Sequence, residues 1–278
     1  VTARVALPSA GRLREGSVAL LEHAGYDIAG FRGTGARAEV GGVEFIEMRP
    51  RDAAAWLAAG RVDAAFISTD VVLEDDLGHL PALQLGFARA DLVVASRDDD
   101  GRAEVADLAS ATVATHLPQA TDRWLRGQGV DATVVAMGGA LEGVCAAGLA
   151  DAIVDLRATG TSLAQNRLRV LAEIAHCEAL FVHQRSGAPA DLVLRLQSAL
   201  AGRRRRYVML HLPPHLLDDL SGIFTGLASP TVLPLAGRDD LVAVHLVVEA
   251  DAFWDRLTDL RQLGATGIVA LPPDAVVT

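Results

Sequence analysis

Short apolar runs alternate with amphipathic segments of helical length over most of the chain. The pattern predicts strands at 4–8, 43–47 and 63–67 around helices at 12–24 and 51–59. A second set follows, with strands at 91–95, 112–115, 132–136 and 152–155 and helices at 121–128 and 141–147. The chain then passes through apolar stretches at 169–174 and 179–183 into a long helix at about 189–202. Alternation of this kind implies βαβ units and a largely parallel sheet. From residue 207 the order changes to strand 207–212, helix 214–224, strands 231–235 and 241–248, helix 251–263 and strand 267–271. That βαββαβ order is a ferredoxin-like unit, read as a regulatory or assembly domain.

Composition narrows the function. Half of the 278 residues are hydrophobic, enough for a sizeable core. A formal net charge of −10 argues against nucleic acid, which needs a basic face. The 203–206 run of arginines is read as a helix C-terminus complementing the dipole. All 25 basic residues are arginine, so every side-chain cation offered to a phosphate is a guanidinium or a protonated histidine. Cys145 and Cys177 make neither a disulfide framework nor a CxxC pair. No apolar stretch approaches the ~18 residues of a membrane span, and the first residues lack a signal peptide's long apolar core. The expectation is a cytoplasmic protein without membrane or nucleic-acid partners.

The segment 148–163, Gly-Leu-Ala-Asp-Ala-Ile-Val-Asp-Leu-Arg-Ala-Thr-Gly-Thr-Ser-Leu, concentrates the chemistry. A buried strand delivers Asp155 to its C-terminal end, where ligands collect in open α/β sheets. A turn of small residues follows, Ala158, Thr159, Gly160, Thr161 and Ser162, with a helix starting near Ser162. Amides at a helix start and three hydroxyls can converge on a phosphate, and Gly160 permits close approach and positive φ. Asp155 then suits ribose hydroxyls or Mg²⁺ carried by the substrate, and Asp151 is a second candidate on that side. The competing reading is an ordinary helix cap after a strand.

Several stretches in order resemble the long form of ATP phosphoribosyltransferase, the first enzyme of histidine biosynthesis. They are Ala6-Leu7-Pro8 with Gly11-Arg12-Leu13, Arg49-Pro50-Arg51-Asp52, Leu85-Gly86-Phe87-Ala88-Arg89 and the 148–163 segment. Tyr207-Val208-Met209, Ser229-Pro230-Thr231-Val232-Leu233-Pro234-Leu235, Leu263-Gly264-Ala265 and the 267–272 stretch continue the match. The resemblance implies an α/β protein with a two-lobed catalytic unit like a periplasmic binding protein, residues 1–88 with 177–203 forming one lobe and 89–176 the other. It implies a C-terminal domain over 204–278 that binds histidine as feedback inhibitor, and a homo-oligomer, hexamer or dimer. The implied reaction joins N1 of ATP's adenine to C1 of phosphoribosyl pyrophosphate (PRPP), releases pyrophosphate and requires Mg²⁺, with no metal ligated by the protein alone. In that scheme residues 158–162 anchor the 5-phosphate, Asp155 fixes the ribose, and Arg12 neutralises the leaving pyrophosphate. Arg49, Arg51, Asp70, Arg89, Thr115 and Glu142 are nucleotide-side candidates, and Ser229 and Thr231 effector candidates.

Three stretches depart from the family. Ala10-Gly11-Arg12 replaces Lys-Gly-Arg, Phe66-Ile67-Ser68 replaces a Gly-Ile-Thr-Gly stretch, and Ala114-Thr115-His116-Leu117-Pro118-Gln119 replaces Ala-Thr-Lys-Tyr-Pro-Asn. These changes open a second reading: a divergent glycosyltransferase with another acceptor or donor, such as AMP and a nucleotide-sugar, in a specialised-metabolite pathway. A non-catalytic regulatory subunit is a third. His211 with His215, the His176-Cys177 pair and His245 are read as surface or packing residues, with His245 also a candidate to face an effector pocket, and Gly138-Gly139 as a plain turn.

Overall fold

The structure, a computed structural model, describes residues 2–28, 36–187, 189–224 and 230–277. The chain divides into two units, Val1–Ala19 with Asp27–Pro189, and Leu20–Tyr26 with Ala190–Thr278. In the first unit the chain runs β1 (Ala3–Pro8), α1 (Gly11–His23, which ends in the second unit), β2 (Arg37–Val40), β3 (Val43–Met48), α2 (Pro50–Ala58), β4 (Ala64–Ser68), α3 (Thr69–Glu74) and β5 (Ala82–Gln84). It continues through β6 (Ala90–Arg97), a 3₁₀ turn at Val105–Leu108, β7 (Thr112–Thr115), α4 (Pro118–Gly127) and β8 (Thr133–Ala136). Then come α5 (Leu141–Ala146), β9 (Ala152–Arg157), α6 (Thr161–Gln165), β10 (Leu168–Cys177) and β11 (Ala179–His183).

These strands make two sheets, β2-β3-β1-β4-β11-β5 and β10-β6-β9-β7-β8. Each is the core of one α/β lobe. The two lobes' continuous apolar strands explain their central position: Val5, Ala6 and Leu7 in β1 and Ile153 and Val154 in β9 are fully buried. Helix α2 begins with Pro50, whose missing N–H costs nothing in a first turn, and buries Ala53, Ala54 and Leu57. The sheets are mixed rather than largely parallel. Strands joined through helices are parallel, as in β3-β1-β4 and β8-β7-β9. β6, β10 and β11 pair antiparallel to their neighbours because they belong to the two passages of chain between the lobes. Those passages are bonded to each other: Ala179 N donates to Phe87 O at 2.9 Å and Leu85 N to Ala179 O at 3.0 Å. The β2–β3 hairpin, absent from the sequence reading, turns on Gly41 and Gly42, both at positive φ (58° and 78°).

The second unit carries α7 (Ala190–Arg203), β12 (Arg205–Leu212), a 3₁₀ turn at Pro214–Leu216, α8 (Leu217–Ile223), β13 (Thr231–Leu235), β14 (Arg238–Glu249), α9 (Ala250–Gln262) and β15 (Thr266–Leu271). Its sheet order is β13-β14-β12-β15, antiparallel throughout, which is the ferredoxin-like arrangement. Alternation in β12 sends Val208, Leu210 and Leu212 into the core against Leu220, Phe253 and Leu260. Among the described residues no helix is long and apolar enough to cross a membrane, and both cysteines are buried and free.

Candidate active site

β9 brings Asp155 towards its C-terminal end, and the chain then turns through residues 158–160 into α6. Gly160 caps that helix at φ 78°, ψ −3°, a left-handed conformation that costs an L side chain about 1–2 kcal/mol. The first amides of α6 have no intrahelical acceptor, as at any helix start. Thr159 and Thr161 hydroxyls lie 3.1 Å apart. Ser162 Oγ donates to Glu142 Oε1 at 2.5 Å, so its proton is committed to a carboxylate. A pocket of about 170 Å³ is lined by Val93, Glu142, Asp155, Leu156, Arg157, Ala158, Thr159, Gly160, Ser162 and Leu163.

Asp155 sits in a field that resists its ionisation. Burial raises its pKa first. The bond from Leu156 N (2.7 Å) and the nearby His116 pull it down, whereas Glu142 and Asp70 push it further up. His116 Nδ1 lies 3.5 Å from Asp155 Oδ1. This imidazole stands at the place where the resembling family carries a lysine, and its nearness to Asp155 was invisible until β7 and β9 were paired.

The structure therefore gathers Glu142, Asp155, Ala158, Thr159, Gly160 and Ser162 around one pocket, with Thr161 next to Thr159. Other candidates lie elsewhere. Asp151 precedes β9, about 13 Å along an extended chain from Asp155. It accepts from Thr112 N (2.9 Å), at the start of β7, and pairs with Arg102 (2.8 Å) in the segment after β6, so it holds the fold rather than the pocket. Thr115 is buried, and its hydroxyl donates to Val154 O at 2.9 Å while accepting from Leu117 N at 3.0 Å. Asp70, in the first turn of α3, is 5% exposed with Oδ1 lacking a hydrogen-bond partner, and its charge reaches Asp155. Arg12, Arg49 and Arg51 are exposed at or beside the starts of α1 and α2 and line no part of this pocket.

Arg89 borders a neighbouring pocket of about 190 Å³ together with Ala90, Asp91, His176, Cys177 and Glu178. Thr231 is exposed on β13 opposite His245, whose ring bonds the Tyr207 hydroxyl. Ser229 lies outside the described residues. Sequence reading passed over Arg157, which lines the main pocket; its only advance signal was a cation between Asp155 and the glycine turn.

Fold and pocket together define a two-lobed α/β ligand-binding unit coupled to a ferredoxin-like domain. Comparison with known proteins gives the family. The ATP phosphoribosyltransferase family model matches residues 49–202, and the model of that family's C-terminal domain matches residues 202–273. An ATP phosphoribosyltransferase of Gemmatimonas aurantiaca is 37% identical, covering 96% of each chain, and one of Maricaulis maris is 33% identical over 97% of this chain and 96% of that one. A chain of the ATP phosphoribosyl transferase (HisG:HisZ) complex from Thermotoga maritima superposes with TM-score 0.57 at 28% identity, covering 66% of this chain and 87% of its own. The protein belongs to the ATP phosphoribosyltransferase family and is a phosphoribosyltransferase.

Proposed function

We propose that the enzyme transfers the phosphoribosyl group of PRPP to N1 of ATP's adenine with release of pyrophosphate, the first step of histidine biosynthesis. The observation that carries this reading is the convergence of Asp155 and the Thr159–Gly160–Ser162 turn on one pocket, in a chain of this family. The turn holds the 5-phosphate through its amides and the Thr159–Thr161 hydroxyl pair. The ribose hydroxyls then fall to Asp155, whose resistance to ionisation is relieved by donating groups of the substrate.

As pyrophosphate leaves, C1 gains oxocarbenium character, so catalysis is positioning plus electrostatics. Adenine N1 attacks with its own lone pair, and no general base is needed. Glu142 and Asp70 add negative charge around Asp155, which suits the developing positive charge at C1. Mg²⁺ carried by PRPP would neutralise charge on the departing pyrophosphate, with Arg12 the guanidinium candidate for the same task and Arg89 a candidate for the nucleotide's phosphates. Assembly into a homo-oligomer and histidine binding on the C-terminal sheet near Thr231 belong to the same reading.

The test incubates pure protein with Mg²⁺, PRPP and ATP and follows the N1-adduct and pyrophosphate. Stoichiometric formation of both is expected. Folded protein that makes neither, yet forms a product from AMP or a nucleotide-sugar, overturns the assignment in favour of a divergent glycosyltransferase.

A further inference from the structure

The second sheet carries a line of charge across three strands. Register sets Asp91 of β6 opposite both His176 of β10 and Arg157 of β9. Two residues along, Val93 stands opposite Asp155, so the line occupies the same face of the sheet as the pocket. The side chains close into a ring of alternating sign. Arg157 Nη2 donates to Asp91 Oδ2 (2.7 Å) and to Glu173 Oε2 (3.3 Å). His176 Nδ1 lies 2.8 Å from Asp91 Oδ1, and its Nε2 lies 3.1 Å from Glu173 Oε1.

Asp91, Glu173 and His176 are also the group among the described residues whose ligand atoms lie close enough, within 4.8 Å of one another, to hold a metal. Both imidazole nitrogens already face carboxylates and a guanidinium is bonded to those carboxylates, so the group reads as a frame around Arg157.

We propose that Arg157 is the cation that reads the phosphate of the sugar donor, and that Asp91, Glu173 and His176 are positioning residues that aim it. This rests on the pocket being the sugar-phosphate site. A phosphate dianion entering there meets two carboxylates, Asp155 and Glu142, and Arg157 is the one cationic side chain among the lining residues described. With no lysine in the chain, the task falls to a guanidinium. Only Nη2 is engaged by the frame; Nε and Nη1 make no hydrogen bond among the described residues, leaving donors of the fork for a ligand. The stem runs beside the turn, since a Cβ on Gly160 would lie 3.8 Å from Arg157 Cδ. Anchoring one nitrogen of a long side chain removes rotamer freedom before the ligand arrives, which favours binding.

The experiment compares the full-length wild type with Arg157→Gln, Arg157→Lys and Asp91→Asn. It measures KM for PRPP and for ATP, kcat, Tm and direct binding of ribose 5-phosphate by calorimetry. Loss of a charge-assisted hydrogen bond corresponds to roughly 10- to 100-fold. The expected result is a rise of that order in the PRPP KM and the ribose 5-phosphate Kd of Arg157→Gln, with the ATP KM within about twofold and at most a small fall in Tm from the lost pairs to Asp91 and Glu173. Arg157→Lys recovers part of the loss, and Asp91→Asn falls between. Equal PRPP KM in wild type and Arg157→Gln overturns the proposal, as does a parallel rise in both KM values with a lowered Tm. If wild type binds ribose 5-phosphate and Arg157→Gln binds it equally well, Arg157 falls and the pocket reading stands. If wild type does not bind it and Gly160→Val turns over normally, the pocket reading itself falls and the proposal with it.

Discussion

Replacing Gly160 by alanine separates the turn's shape from its surroundings. Among the described residues, and its chain neighbours aside, an added Cβ meets Arg157 Cδ at 3.8 Å, an ordinary contact, so no clash follows. The cost is that of the backbone, φ 78°, which for an L residue is about 1–2 kcal/mol. That energy has two outlets. If the turn keeps its shape, the first unit loses the whole amount, and a unit of this size loses roughly 2–8 °C of Tm. If the turn relaxes away from the left-handed region, Tm holds and the amides leave the phosphate, weakening PRPP by roughly 5- to 30-fold. Gly160→Val adds β-branching to the same strain and abolishes turnover in a folded protein. Thermal melting and steady-state KM for each substrate, measured on the same preparations, divide the two outlets. The reasoning fails if Gly160→Ala changes neither quantity, or if it raises the ATP KM as much as the PRPP KM.

Asp155→Asn is expected to lower kcat by at least about 100-fold without lowering Tm. Burial first, with Glu142 and Asp70 adding to it, raises the Asp155 pKa, so its ionised form costs stability as pH rises above the unfolded carboxylate value, and the amide removes that cost; a lowered Tm at neutral pH refutes this. The bond to Asp91, then the field of Glu173, raises the His176 pKa, so the stability it contributes is present below the ordinary imidazole value and is lost as pH rises through the raised one. Asp91, lowered first by Arg157 and then by His176, contributes above the ordinary carboxylate value and loses that contribution as pH falls through its depressed one. An NMR titration of the His176 ring checks this: its midpoint lies above that of a free histidine and drops in Asp91→Asn. Gly16→Ala places a Cβ 2.3 Å from the Phe87 ring, an overpacking cost of about 1–3 kcal/mol seen as a lower Tm and restored by adding Phe87→Leu; an unchanged Tm for the single variant is the contrary result.

What the sequence made legible was local. Apolar runs placed β1, β7 and β9 within a residue or two, because buried strands need continuous hydrophobic side chains whatever their neighbours. Asp155 and the glycine turn were legible for a related reason: all the pocket's lining residues but Val93 and Glu142 fall within 155–163. Asp151 misled because four residues look close in sequence, whereas an extended strand carries them to opposite ends. Thr115 misled because a hydroxyl at a strand end gives no sign of whether it faces a ligand or its own neighbours. The short elements β2, α3 and β5 carry too few residues for a periodic signal, although Gly41-Gly42 between two alternating runs was a hairpin signal left unused. The ring around Arg157 was out of reach. It joins residues 66 and 85 positions apart through the register of β6, β9 and β10, and register is a tertiary fact.

The two passages of chain between the lobes, laced together by the amides of Leu85 and Ala179, behave as one ribbon rather than two independent tethers. A ribbon of paired strands yields readily to bending and twist and resists sliding along its length, since sliding breaks every rung at once. Any swing of one lobe against the other is thereby reduced to a narrow family of rotations.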